Sequence, residues 1–182
     1  ALIAAAWYRN TGSQLKVIGI TGTKGKTTTT YMVKSILENA GYKVGLIGTI
    51  ESIIGDEVIP SANTTPESLT VQEYFRRMLD AGCDCAVMEV SSHALDQDRV
   101  SGCTFDAAVF TNLTQDHLDY HGTMENYLGA KKRLFQMCRH AVVNADDPWA
   151  AKLTEGLTCR VVTYSARRAD ADYSAKHSRP RP

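Results

Sequence analysis

The chain has no apolar run long enough to cross a bilayer as a helix. It also has no net charge: 20 Lys and Arg balance 20 Asp and Glu. No global field therefore draws it to nucleic acid or to a membrane surface. The balance is uneven, because residues 160–182 carry six Lys/Arg against two Asp/Glu and leave the preceding part net negative. The five cysteines (Cys83, Cys85, Cys103, Cys138, Cys159) form an odd set with no C-x-x-C pair. Cys83 and Cys85 stand two apart in an apolar run that reads as a strand. They would share a face and could not clamp zinc alone, so buried free thiols in a reducing cytosol are expected. The opening ALIAAAWY has no charged leader and is too short for a signal peptide. It reads as the end of a helix belonging to something upstream. There is no internal repeat.

What is present is apolar enough for a core. At 182 residues, 43% of them hydrophobic, the chain is one domain, or one domain with fragments of its neighbours. Its centre of gravity is Val17–Tyr31, VIGITGTKGKTTTTY. An apolar run breaks into a Gly-rich turn, and a helical pattern follows with Met32, Val33, Ile36, Leu37 and Ala40 as its apolar positions. A strand, a tight glycine loop and a helix N-terminus form a cradle for an anion, because backbone N–H groups can approach it and the helix dipole favours it. Lys26 would reach terminal phosphates and the Thr27 hydroxyl would ligate Mg²⁺. The pattern G-x-x-x-x-G-K-[ST] is incomplete, since Ile20 stands where its first glycine belongs. The shorter Gly22-Thr23-Lys24-Gly25-Lys26-Thr27 replaces it. A Thr-capped helix after a flexible loop, with Lys26 merely exposed, is the plain alternative.

Further along, Lys43–Ile47 reads as a strand and Glu51–Pro60 as a hairpin around Gly55-Asp56. Pro66 suits the first turn of a helix capped by Thr64 or Thr65. Val71, Tyr74, Phe75, Met78 and Leu79 have helical spacing up to a stop near Gly82. Cys83–Val90 and Phe105–Phe110 are continuous apolar runs, as in strands buried on both faces. A helix over Thr123–Met137, a strand at His140–Asn144, a short helix near Pro148–Leu153 and a strand at Arg160–Tyr164 complete the alternation. The fold class is α/β, a mostly parallel sheet with helices on both faces. From Ser165 the pattern dissolves into Arg, Ala, Asp and Ser.

Chemistry should gather at the carboxyl ends of the strands. Glu89 ends a buried strand, where a carboxylate is costly unless paired or metal-bound; the bland reading is a Glu facing water. Thr111–His121 packs Asn112, Asp116, His117, Asp119 and His121 after the next strand. His117 and His121 are four apart, but HLDYH lacks the Glu of H-E-x-x-H and no third soft ligand is evident. A zinc hydrolase is therefore the weaker reading, and Mg²⁺ ligation by a His, or a simple loop cluster, the stronger. Lys131 falls on the apolar face of its helix. It either snorkels to solvent or serves a site, and a desolvated amine would have a lowered pKa.

Taken together, GTKGKTT, NTTP, MEVSSHALDQDRV, TNLTQDHLDYHGTMENYLGAKKRLF and VVNADD resemble the Mur ligases. Within that family they are most like the branch that adds the third residue of the peptidoglycan stem peptide. The resemblance runs from about Leu2 to Ser165. It implies a three-domain parent, of which residues 1–12 would end the N-terminal domain and residues 13–165 form the central ATP-binding domain. Residues 166–182 would be a truncated or disordered tail, with the C-terminal domain missing. It further implies ATP and Mg²⁺, with Gly22, Thr23, Lys24, Gly25, Lys26, Thr27 and Thr28 on the phosphates and Asn144 and Asp147 near the nucleotide. Glu89 and His117 resemble the metal-binding pair, and Lys131 the lysine carried as a carbamate that helps fix a second Mg²⁺. Asn63, Thr64, Thr65, Ser91, Gln97 and Arg99 match positions that bind UDP-muramoyl-dipeptide.

The implied reaction is amide formation through an acyl phosphate, with Lys26, Lys131, Glu89 and His117 as its catalytic set. No nucleophilic side chain is required. Ser91-Ser92-His93 is not a hydrolase triad, because the G-x-S-x-G elbow is absent. Small-molecule substrates, a monomer and a cytoplasmic setting are expected, with no nucleic-acid partner. Two alternatives stay open: a folylpolyglutamate- or cyanophycin-type relative, and a nucleotide-binding module without catalysis.

Overall fold

The computed structural model of the chain describes residues 1–9 and 11–175. Among these residues, nine strands form one sheet in the order β4-β3-β2-β5-β1-β6-β7-β8-β9. They are β1 (Lys16–Thr21), β2 (Val44–Ile47), β3 (Glu51–Ile54), β4 (Glu57–Pro60), β5 (Cys85–Glu89), β6 (Phe105–Phe110), β7 (Cys138–Asn144), β8 (Arg160–Ser165) and β9 (Tyr173–Ser174). The hairpin β3–β4 and its junction with β2 are antiparallel, and every other pairing is parallel. β1 lies between β5 and β6, so the chain leaves it first to one side and later to the other. That reversal opens a crevice at the carboxyl ends of β1, β5 and β6.

The helices are α1 (Leu2–Trp7), α2 (Lys26–Asn39), α3 (Ser68–Asp80), α4 (Ser92–Asp96), α5 (Leu118–His121), α6 (Met124–Gln136) and α7 (Ala150–Thr154). None among the described residues is long and apolar enough to cross a membrane. The larger core joins Val17, Met88, Phe105 and Phe110 of the sheet to Phe75 and Met78 of α3 and to Leu134 and Phe135 of α6. On the other face Val33 and Leu37 of α2 pack on Ile20, Val44, Cys85 and Val87. Helices thus cover both faces, as the alternation of patterns predicts.

Several local expectations are corrected. Met32 and Ile36 are 60% and 68% exposed. Thr30, Val33 and Leu37 set the inward direction of α2, and at 3.6 residues per turn the other two lie roughly 100° or more away from it. Pro66 precedes α3 rather than opening it, and the cap position is Glu67 with no side-chain cap; Thr65 is used elsewhere. Cys83 lies before β5 and joins the larger core, while Cys85 joins the smaller one, so the two do not share a face. All five cysteines are free. His117 caps α5 in a left-handed conformation rather than lying within it, so His117 and His121 do not share a helix face. Beyond Ser165 the sheet continues: Asp172 Oδ2 accepts from the Thr163 amide and hydroxyl, each at 2.7 Å, and holds β9 beside β8. Residues 176–182, the end of the expected tail, lie outside the described residues.

Close packing over β1 makes a paired test. A Cβ at Gly19 would fall 2.9 Å from two Phe105 ring carbons and 3.1 Å from Leu134 Cδ1, whereas one at Gly129 on α6 meets nothing within 4 Å. Gly19→Ala should lower unfolding stability by about 1–3 kcal/mol. Gly129→Ala should raise it by about 0.5–1 kcal/mol. Urea denaturation of both variants checks the opposite signs.

Candidate active site

The loop after β1 is shaped by two glycines and tied down by β6. Gly22 has φ 149°, and a Cβ there would sit 1.9 Å from Thr111 Oγ1. Gly25 has φ 82° and caps α2 without a side-chain bond, which excludes the Thr-capped alternative. The Thr23 and Lys24 amides donate to the backbone and side-chain oxygens of Asn112, both at 2.9 Å. Among the described residues, no hydrogen bond occupies the N–H groups of Gly25, Lys26, Thr27 or Thr28. The open end of α2 is therefore the anion-receptive part of the loop. Lys26 Nζ folds over it, donating to Gly22 O at 3.0 Å and Thr23 O at 3.1 Å. Burial lowers the Lys26 pKa, against the opposing pull of Glu89 and Asp116. Lys24 stays exposed and pairs with Asp116 at 3.5 Å.

Glu89 ends β5 with 0% exposure, so the water-facing reading is wrong. Its carboxylate accepts from Thr27 Oγ1 at 2.9 Å, Thr49 N at 2.8 Å and Thr49 Oγ1 at 2.9 Å. Nearby, Tyr31 one turn along α2 donates to Glu51 at 2.8 Å. Burial, then the Glu51 carboxylate, pushes the Tyr31 hydroxyl up to about 12.

Lys131 is 1% exposed. Its amine donates to Gly22 O at 3.1 Å, the carbonyl that also receives Lys26, and lies 4.4 Å from the Tyr127 ring centroid. Burial first, and then the charge of Lys26, holds its pKa well below the ordinary 10.5. Tyr127 in turn has its hydroxyl 3.3 Å from Thr23 Oγ1 and its ring stacked on His121. His121 Nε2 lies 3.0 Å from Ser92 Oγ, and His93 packs its ring against His117 at 4.9 Å between centroids. Burial and neighbouring imidazoles lower the pKa of both His93 and His121. His117 has no hydrogen bond to Glu89 among the described residues. No group of three or more His, Cys, Asp or Glu among them is arranged to hold a metal ion. The oxygen donors of Thr27 and Glu89 nonetheless suit Mg²⁺, which takes few protein ligands and fills its shell with phosphate and water oxygens.

The other motifs meet the same strand end. Thr65 Oγ1 donates to Glu89 O at 2.9 Å and accepts from Ser91 N at 3.0 Å, while Ser91 Oγ caps α4. Arg99 donates to Thr65 O at 3.1 Å and to Gln97 Oε1 at 2.6 Å. Asn63 is exposed and Thr64 half-buried on the adjoining loop. Asn144 donates to Thr111 O at 2.8 Å, and both Asp147 oxygens are held by the amides of Leu113 and Trp149. Those two residues lock the loops after β6 and β7 together. A cavity of about 610 Å³ lies beside them between Asp146, Pro148, Thr163 and Arg167. It does not open over the glycine loop, because a loop at the rim of a sheet is a shallow surface.

The sequence profile of the Mur ligase middle domain matches residues 20–180. The chain belongs to the Mur ligase family. Named relatives are UDP-N-acetylmuramoyl-L-alanyl-D-glutamate–2,6-diaminopimelate ligases. That of Clostridium perfringens is 46% identical over 180 residues, covering 96% of the chain and 37% of the relative. That of Bacillus licheniformis is 49% identical, covering all of the chain and 39% of the relative. A solved ligase of the same name superposes with TM-score 0.81 at 32% identity, over 94% of the chain and 37% of its own length. This Mur ligase chain thus spans little more than a third of the length of its relatives. Folylpolyglutamate synthase of Mycobacterium tuberculosis shares the fold, with TM-score 0.68 at 16% identity over 91% of the chain and 47% of its own.

Sequence reasoning missed Thr49, Tyr127 and the Ser92–His121 pair. Thr49 carried one usable signal, its place just after the carboxyl end of a strand. Tyr127 read only as core. For Lys131, the unfolded chain binds its proton up to about 10.5, whereas the folded chain releases it at lower pH. Its burial therefore lowers stability most at low pH, and stability recovers as pH rises through that window. Lys131→Met should be more stable than wild type at pH 7 by about 1 kcal/mol or more. The gap should shrink as pH climbs toward 10.5, measured by urea denaturation of both proteins across the range.

Proposed function

We propose that this chain is the ATP-binding part of a ligase that joins 2,6-diaminopimelate to UDP-N-acetylmuramoyl-L-alanyl-D-glutamate. One observation carries the reading. The side chain of Glu89 is bonded to Thr27 at the start of α2, and its backbone carbonyl to Thr65 of the NTTP motif. A single residue joins the phosphate-receptive end of the site to the acceptor end. The amine substrate is taken from the named activity of the relatives. A monomer working in the cytoplasm is part of the same proposal.

In the reaction, an acceptor carboxylate oxygen attacks the γ-phosphorus and the bond to ADP breaks, leaving an acyl phosphate. The amine nitrogen then adds to that carbonyl, loses a proton and expels phosphate. The N–H groups of Gly25–Thr28 and the Lys26 ammonium hold the phosphates in line and offset their charge, which is the main task in such chemistry. Thr27, Glu89 and His117, with a carbamylated Lys131 helping to fix a second ion, would hold Mg²⁺, whose charge would offset that of the transferring phosphoryl group. The buried amine of Lys131, whose pKa burial holds well below the ordinary value, is suited in its neutral form to capture CO₂, its nitrogen bonding the carbon and its proton leaving. Thr64, Thr65, Ser91, Gln97 and Arg99 form the wall toward the acceptor, with Asn63 at its rim. Asn144 and Asp147 hold the loops that would frame the nucleotide.

Calorimetric titration with Mg·ATP tests the reading. The chain should bind, and Lys26→Ala should weaken binding at least about tenfold. Binding of UDP-N-acetylmuramoyl-L-alanyl-D-glutamate to the same protein would support the acceptor assignment; ATP binding without it would point to a relative with another acceptor. No ATP binding would overturn the proposal for this chain. Alone, the 182-residue chain should show little or no tripeptide formation when given all three substrates.

A further inference from the structure

Thr49 belongs to none of the motifs that point to nucleotide or acceptor, yet it touches both ends of the site. It follows Gly48 at the carboxyl end of β2. Its amide donates to Glu89 Oε1 at 2.8 Å, and its hydroxyl lies 2.9 Å from Glu89 Oε2 and 3.1 Å from Thr64 Oγ1. A carboxylate only accepts, so the single hydroxyl proton of Thr49 goes to Glu89 and the Thr64 hydroxyl donates to Thr49. Of the three hydrogen bonds that satisfy the fully buried Glu89 carboxylate, Thr49 supplies two.

The placement is constrained from every side. Gly48 donates to Glu51 O at 3.0 Å, closing the turn into β3. A Cβ at Gly48 would fall 2.9 Å from Glu89 Oε1, so only glycine lets the strand end approach the carboxylate. Tyr31 of α2 anchors the same turn through Glu51. The Thr49 hydroxyl is therefore presented to Glu89 by a turn clamped between the sheet and α2. Donation to both carboxylate oxygens fixes the plane of the group. With Thr27 also donating to Oε2, both lone pairs of that oxygen are taken and one stays open on Oε1. Because Thr64 lies one residue from Thr65, a shift of that loop reaches Glu89 through one hydroxyl.

We propose that Thr49 is a positioning residue that orients Glu89 for a divalent cation and couples the acceptor loop to it. The proposal rests on the reading of Glu89 as a cation ligand. Its logic is that of an outer-shell donor: the ligand oxygen stays, but without Thr49 it is free to turn away. The backbone N–H survives the substitutions to Val, Ser and Ala, so they leave the amide bond in place and test the hydroxyl.

The test is ATP affinity by calorimetry, with Mg²⁺ and with chelator, for the whole chain and for Thr49→Val, Thr49→Ser and Thr64→Val. Thermal melting of each confirms its fold, and Thr49→Ala replaces Thr49→Val if valine prevents folding. Wild type should gain affinity on adding Mg²⁺. Thr49→Val should keep its metal-free affinity within about twofold and lose about tenfold of that gain. Thr49→Ser should restore it within about twofold. Thr64→Val should lower the gain alone, and add nothing further in the Thr49→Val background. An unchanged Mg²⁺ gain in folded Thr49→Val overturns the positioning role while leaving Glu89 as the ligand. Additive losses in the double variant overturn the coupling. Wild type binding ATP with no Mg²⁺ gain overturns the reading of Glu89 and this inference together.

Discussion

The structure depends on one buried carboxylate being satisfied. Glu89 sits at the end of a strand flanked by β1 and β2, in a position where an unpaired charge would cost several kcal/mol. Its partners arrive from the glycine loop's helix and from the turn after β2. Its backbone carbonyl is satisfied from a third segment, Thr65. Those segments meet because β5 inserts between β2 and β1, which brings the carboxyl ends of all three strands together. Remove the carboxylate's partners and the crevice loses the group that holds its walls in register.

A second constraint acts a few ångströms away. Lys26 and Lys131 share the Gly22 carbonyl, so two amines face one acceptor in a region poor in water. Both have lowered pKa values, with burial the larger cause for each, and the charge of Lys26 adds to the lowering at Lys131. Anionic oxygens, from phosphate or from a carbamate, would relieve that arrangement.

The motif-bearing half of the site was legible. Gly22–Thr27, Glu89 and Lys131 each combine an unusual residue type with a place in a strand or helix that makes it expensive, and periodicity exposes such conflicts. Thr49 was not legible: one threonine after a strand is unremarked until the sheet brings it to Glu89. The same holds for Ser92 and His121, whose pairing depends on how α4 packs on α5. Spacing of four suggests a shared helix face, but the left-handed conformation at His117 starts the helix one residue later. Met32 and Ile36 misled because apolar residues mark a stripe without saying which edge of it meets the sheet.

By itself, the sequence determined the elements and their order. Alternating apolar runs and helical periods set an α/β sheet, and the glycine loop marked where β1 must end, since local sterics and solvent preference are properties of short segments. It also marked Lys131 as misplaced by polarity. Only the tertiary structure decided which strand ends share a crevice, because strand order follows from long-range pairing that no short segment encodes. It likewise decided that Glu89 is enclosed, that Lys26 and Lys131 meet at one carbonyl, and that Thr49 stands between Glu89 and Thr64. Burial and hydrogen-bond partnership are relations between distant segments, and they exist only once the sheet has closed around them.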